Sequence, residues 1–203
     1  MDSQSYLNEI SAATRPVKQS KFGFMKSKFF IIGVALVGCF ILFAIIGAIL
    51  SNGKASVKEQ TVNLLLRIEY TSEVASSYQA NIKSSDLRSS SASLSGVFGN
   101  TLRDLTNYAE EKYNYKKSDF KKAVETEEER SQKLDEVLFD AKINGVLDRI
   151  FAHKMAYEMS LIYNMESSLR DASKDDKLKD LLTTSMNGLS NLYEKFDEFS
   201  EAK

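Results

Sequence analysis

The chain has 203 residues, 43% of them hydrophobic, with 27 basic against 28 acidic side chains. That is room for one domain with appendages, and the even charge balance excludes a basic field that would gather nucleic acid. A single cysteine, Cys39, lies inside an apolar run, so the globular part has no disulfide, and the single proline, Pro16, leaves everything after residue 50 open to helix.

Residues 1–28 carry Ser, Gln, Thr and Pro16, with only Leu7 and Ile10 as a brief apolar pair. They read as a disordered cytoplasmic tail in which SYLNEI is at most a docking peptide. From Phe29 to Leu50 the row FFIIGVALVGCFILFAIIGAIL is 22 residues without a charge. At about 1.5 Å per residue it spans a hydrocarbon core of about 30 Å. Arg15, Lys18, Lys21, Lys26 and Lys28 precede it, while Lys54 and Lys58 follow with Glu59 beside them. The excess of positive charge sets the N-terminus inside and exports the rest. Its length favours an uncleaved signal-anchor over a cleaved signal peptide.

Two other processing readings touch this stretch. Leu36, Val37, Gly38 and Cys39 resemble a lipobox, although eleven apolar residues follow the cysteine. Gly23 and Phe24 resemble a prepilin cleavage site, but Lys28 stands where that family has a glutamate. Within the span, Ala44, Gly47 and Ala48 form a small-residue face suited to transmembrane helix packing, or are ordinary membrane-helix composition.

A polar hinge covers residues 51–56, and the exported domain runs over 57–203. Its first segment, about 56 to 83, places Val57, Thr61, Leu64, Ile68, Thr71, Ala75, Tyr78 and Ile82 at helical spacing, which predicts one buried face. The second begins near Ser85 or Asp86 as N-cap and carries Leu87, Leu94, Phe98, Leu102, Leu105 and Ala109. Its early Ser89, Ser90, Ser91, Ser93, Ser95, Gly96 and Gly99 predict either fraying or a close helix crossing.

Ser118 is the expected cap of a third segment that runs to Ile143 with Phe120, Val124, Leu134, Leu138 and Ala141 inward. Asn144 and Gly145 interrupt the pattern. A fourth carries Leu147, Phe151, Met155, Ile162, Met165 and Leu169, and a last one, about Asp175 to Ser200, carries Leu178, Leu182, Leu189, Leu192, Phe196 and Phe199. The expected fold is all-α: an N-terminal transmembrane helix, then an up-and-down antiparallel bundle of four or five helices, four if the third and fourth are one bent helix. Coiled-coil rods are the structural rival.

Little chemistry is visible. The one histidine, His153, lies off its apolar stripe with no Glu-x-x-His pair and no hydrolase motif beside it, so no catalytic residue, metal ligand or cofactor is assigned. The acidic run Glu125, Glu127, Glu128 and Glu129 reads as a solvated face, with Glu129 and Lys133 an i,i+4 pair. Lys112, Tyr113, Tyr115, Lys116, Lys117, Lys121 and Lys122 cluster with Phe120 at the turn between the second and third segments. That turn is either a membrane-headgroup contact or a plain exposed turn with Phe120 inward.

The row LDRIFAHKMAYEMSLIYNMESSLRDASKDDKLKDLL, followed by a final helix, resembles the closing helix pair of ferritin-like bundles in uncharacterised bacterial periplasmic or cell-surface proteins. The likeness covers about a third of the chain and rests on the leucine pattern and the DDKLKDLL entry to the last helix. Those relatives often carry histidines here, where this chain has Glu158 and Met159, so the resemblance implies a bundle and no activity. None of the eleven asparagines stands in an Asn-x-Ser/Thr acceptor, which accords with a bacterial origin. The expected function is a non-catalytic, membrane-anchored interaction or structural module of the cell envelope, in contact with the lipid bilayer and a protein or envelope partner. The alternative is a sensor or small-ligand bundle that signals through a separate membrane partner.

Overall fold

The computed structural model describes residues 55–201. The expectations for the tail, the anchor at 29–50, Cys39 and the small-residue face at Ala44, Gly47 and Ala48 lie outside the described residues. Among the described helices none is long and apolar enough to cross a membrane.

Five α-helices form, joined by short links. Helix α1 spans Val57–Gln79, α2 Ser85–Tyr113, α3 Lys121–Ile143, α4 Leu147–Ala172 and α5 Asp176–Glu201, with a 3-10 turn at Lys117–Phe120 before α3. Local signals start and stop them. Ser56 and Glu59 close a reciprocal capping box on α1: Ser56 Oγ accepts from the Glu59 amide at 3.2 Å, and the Ser56 amide donates to Glu59 Oε2 at 2.9 Å. Ser84, one residue earlier than expected, caps α2 by accepting from the Leu87 amide. Gly145 at φ +72° turns the chain sharply enough to separate α3 from α4, which settles five helices over four.

Four of these helices form a closed ring. Helix α1 packs on α2, α2 on α5, α5 on α4, and α4 back on α1, while α3 lies over the seam between α1 and α4. Cross-helix partners fix the directions. Arg67, Thr71 and Tyr78 meet Glu127, Arg130 and Asp135 in rising order, so α1 and α3 run parallel. Arg67 and Lys83 meet Glu158 and Asp148 in falling order, so α1 and α4 run antiparallel. Helix α3 therefore carries the chain back along the bundle, and α2 and α4 point the same way. Successive helices do alternate in direction, but α3 does not pack beside its chain neighbour α2 to any extent; it covers α1 and α4 instead.

This placement changes what α1 buries. Beyond the expected residues, Val62, Leu65, Leu66, Tyr70 and Val74 are also buried, because α1 touches α2, α3 and α4 at once. A single apolar face was expected; three partners require nearly the whole circumference. The core runs from Leu64 and Phe98 through Phe151, Met155 and Ile162 to Leu182 and Phe196, with the Phe151 and Phe196 rings 6.3 Å apart. Helix α3 contributes least, burying only Glu127, Leu134, Leu138 and Ala141.

The small residues of α2 do not fray it, and the two glycines among them make no close crossing, while Ser91 is buried. The helix is continuous through them, and a Cβ on Gly96 or Gly99 would meet nothing within 4 Å. The tight crossing comes from α5, where a Cβ on Gly188 would stand 3.2 Å from both Val97 methyls. Ser118 caps nothing; it lies within the 3-10 turn, and Phe120 precedes α3 without a side-chain cap.

Candidate interaction surface

The lysine and tyrosine turn divides into two groups. Tyr113 packs edge-on against Tyr108 with centroids 5.8 Å apart, and Tyr115 against Phe120 at 5.7 Å, so the aromatics close the end of the core. Lys112 pairs with Asp175 at 3.1 Å and Lys117 with Glu69 at 3.0 Å, Lys117 also standing 4.7 Å from the centre of the Tyr70 ring. Lys112 and the Tyr108 hydroxyl hold the Asp175 carboxyl below its ordinary range. Lys116, Lys121 and Lys122 are exposed, and Lys58 of α1 lies 5.6 Å from the Phe120 ring, so the turn shares one end of the bundle with the start of α1.

The acidic run is only partly a solvated face. Glu125, Glu128 and Glu129 are exposed, and among the described residues no ion pair joins Glu129 to Lys133. Glu127 turns inward instead. Its Oε2 lies 2.6 Å from Arg130 Nε and 3.4 Å from Arg67 Nε, while Glu158 takes Arg67 Nη1 at 3.3 Å and Arg130 Nη1 at 3.0 Å. Arg130 Nη2 also donates to Thr71 Oγ1 at 2.9 Å. Two guanidinium and two carboxylate groups thus neutralise one another where α1, α3 and α4 meet. Such a closed set holds geometry more than it adds stability, since desolvation offsets most of the attraction. It fastens the helix that has the least apolar cover.

A second polar cluster sits between α2, α4 and α5. Thr101 Oγ1 donates to Ser185 Oγ at 2.8 Å, and Ser185 Oγ donates to Glu166 Oε1 at 2.5 Å. Glu166 is wholly buried and its Oε2 has no partner among the described residues. Burial pushes its carboxyl up to about 8, against the opposing pull of the Ser185 hydrogen bond. Thr101 and Ser185 also line an open groove of about 640 Å³ between α2 and α5.

Neither cluster suits a metal. Among the described residues no group of three His, Cys, Asp or Glu side chains stands close enough to hold one, and the two carboxylates that do approach, Glu127 and Glu158, are both engaged by arginines. His153 is exposed on α4.

The surface of α4 and α5 carries a different signal. Between Glu158 and Arg170 only the buried Glu166 is charged, and between Asp180 and Glu194 nothing is. A chain that is 27% charged would place about six charges in those stretches. What is exposed there is tyrosine, serine, threonine and asparagine. Tyr163 and Tyr193, 38% and 36% exposed, line a slot of about 230 Å³ over the buried Met159 and Leu189, with Ser160, Asn164 and Ser190 completing the lining. Tyr157, 55% exposed, stands one to two turns along α4. Depletion of charge with exposed tyrosine is a mark of interface cores, and Tyr with Ser and Asn that of antibody paratopes. The sequence reading missed this face, yet the gap in charge along both helices was present to be read.

A second exposed apolar row, Phe139, Ile143 and Val146, lies on the outer side of α3 and the turn after it, at the end of the bundle away from the start of α1. No protein-family model, curated protein or solved structure matches this chain.

Proposed function

We propose that the chain is a membrane-anchored, exported interaction module of the cell envelope, non-catalytic, whose α4/α5 face docks a protein partner. The observation that carries this is the uncharged slot between Tyr163 and Tyr193. At about 230 Å³ it falls below the roughly 300–1,000 Å³ of small-molecule sites and suits one inserted side chain. Anchorage and direction rest on the apolar run Phe29–Leu50 and the lysines before it. The return of the chain along α3 supports the likeness to ferritin-like bundles, which also use one crossover connection between two helix pairs.

The test is co-purification from crosslinked membranes. A stoichiometric protein partner that is lost, by about 30-fold or more, with Tyr163→Ala or Tyr193→Ala at unchanged melting temperature is the expected result, since exposed aromatic anchors contribute about 2 kcal/mol or more. Topology is tested by cysteine labelling in a Cys39→Ser background: Asn191→Cys should react with an impermeant reagent on cells with a permeabilised outer barrier, and protection there with labelling at Ser3→Cys would sink the orientation.

A sensor reading has one observation in its favour, the groove between α2 and α5 backed by Thr101, Ser185 and the buried Glu166. It wins if the bundle copurifies alone and a metabolite raises its melting temperature.

A further inference from the structure

We propose that the cavity beside the Gly145 turn binds an organic phosphate, with the phosphate held among Lys83, Lys142 and Arg149 and the apolar part laid on Val146 and Phe199. The site is separate from the α4/α5 face and goes beyond the docking role proposed for that face.

The cavity measures about 600 Å³ and forms where three stretches of chain meet: the α1/α2 link, the turn between α3 and α4, and the last turns of α5. Gly145 at φ +72° makes the turn, and the Val146 amide closes the end of α3 by donating to the Ala141 carbonyl at 2.9 Å. Asp148, in the first turn of α4, accepts from the Lys83 amide at 3.0 Å and the Ser84 amide at 2.8 Å. That carboxylate holds the link against the start of α4, so Lys83 and Arg149 line the same space as Lys142.

Charge selects the ligand. The slot between Tyr163 and Tyr193 is lined by no charge, the α2/α5 groove by Asp104 and Asp180 against Lys177, and the groove beside α2's start by Asp86 and Glu198 against Lys195. Only the cavity at the Gly145 turn sets three cations against one acid, and both oxygens of that acid already accept from backbone amides. Among the described residues none of Lys83, Lys142 and Arg149 makes an ion pair. Three cations around one concavity repel one another and draw an anion in. The planar guanidinium can meet two phosphate oxygens at once, and the ammonium groups serve as point charges beside it.

Size and polarity decide what carries the phosphate. A bare ion would leave most of the space empty, whereas about 600 Å³ lies within the roughly 300–1,000 Å³ of small-molecule sites. Part of the wall is apolar. Val146 is 39% exposed, Phe199 is half-buried, and the row of Ile143 and Phe139 carries the apolar surface on from Val146. An ester with an alkyl or acyl portion meets both walls, whether it is a free organic phosphate or the headgroup of a phosphorylated lipid. The turn with Lys116, Lys121 and Lys122 also offers cations, but its aromatics are already packed on their neighbours.

The experiment titrates the full chain in non-ionic micelles with inorganic phosphate, hexyl phosphate and dihexanoyl phosphatidate, read by calorimetry. Hexyl phosphate should bind at least about 10-fold more tightly than inorganic phosphate, because part of its chain leaves water. Lys83→Gln, Lys142→Gln and Arg149→Gln should each weaken it by about 10-fold, and Lys195→Gln in the neighbouring groove should not. All four side chains are exposed, so the melting temperatures should hold. Tighter binding of dihexanoyl phosphatidate than of hexyl phosphate supports the site with a lipid headgroup as its source; equal or weaker binding supports it with a free organic phosphate. Inorganic phosphate binding as tightly as hexyl phosphate would mean a simple ion site and overturns the proposal. So does hexyl phosphate binding that survives the three substitutions combined, which would place the anion on another surface such as the Lys116 turn, and so does failure to bind at millimolar concentration.

Discussion

Arg130 Nη1 reaches Glu158 Oε1 at 3.0 Å across the contact between α3 and α4, and the same guanidinium holds Glu127 on its own helix at 2.6 Å. One arginine thus joins two carboxylates that would otherwise share Arg67 as their only cation. Arg130→Ala should cost about 3–5 kcal/mol, the usual result of stranding a buried charge. Replacing Arg130 and Glu127 together by leucine and methionine should cost much less, because Arg67 and Glu158 remain a pair. Urea denaturation of the two variants checks this; equal losses in single and double variants would mean that the four groups do not act as a set.

Glu166 predicts an unusual dependence on pH. Its carboxyl is raised in the fold to about 8, so its contribution to stability is whole below the unfolded value near 4.5 and is lost as pH rises toward and through 8. The loss is about 1.4 kcal/mol per pH unit across that window. Glu166→Gln removes the titration while keeping the shape and an acceptor for Ser185. The variant should match the parent near pH 4 and exceed it by several kcal/mol at pH 8, read from denaturation curves across the range. A constant difference at every pH would contradict the burial of an ionisable group there.

The glycines of α2 and α5 should respond in opposite directions. Gly96 and Gly99 face open space, so alanine at either should stabilise by about 0.5–1 kcal/mol through helix propensity and reduced unfolded-state freedom. Gly188 has the stiff Val97 side chain 3.2 Å from where a Cβ would lie, and Gly188→Val should push α2 from α5 at a cost of about 1–3 kcal/mol. Thermal melts of the three single variants separate the cases.

Most of the helical plan was legible in the sequence, because apolar stripes such as Leu178, Leu182, Leu189, Leu192 and Phe196 keep one face of α5 continuous. The second buried side of α1 was not. A stripe reports one partner, and α1 buries residues beyond its stripe, Tyr70 among them with its hydroxyl on Glu128, because α3 returns over the α1/α4 seam, which no short link foretells.

The polar sites were hidden for a related reason. Glu158 stands three residues after Met155 and four before Ile162, and Glu166 four after Ile162 and three before Leu169, so both occupy core positions by spacing. Residue type argued for solvent where register argued for the interior. In both cases register was right, and Arg67 with Arg130, or Ser185 with Thr101, supplies what makes burial tolerable.

The route of α3 also sets when the domain can finish folding. Arg67 and Glu158 are 91 residues apart in the chain, and the ring of which α1 is a member closes only when α4 and then α5 have arrived. Contacts so distant in sequence slow folding, since the loop between them must be ordered before they are made. The first helix of the domain is thus the first to be synthesised, and its cover is complete only once the fourth has been made. Until α4 has emerged, the side of α1 that packs on it remains a sticky surface, and the interval is one in which a holding chaperone would find a target on α1.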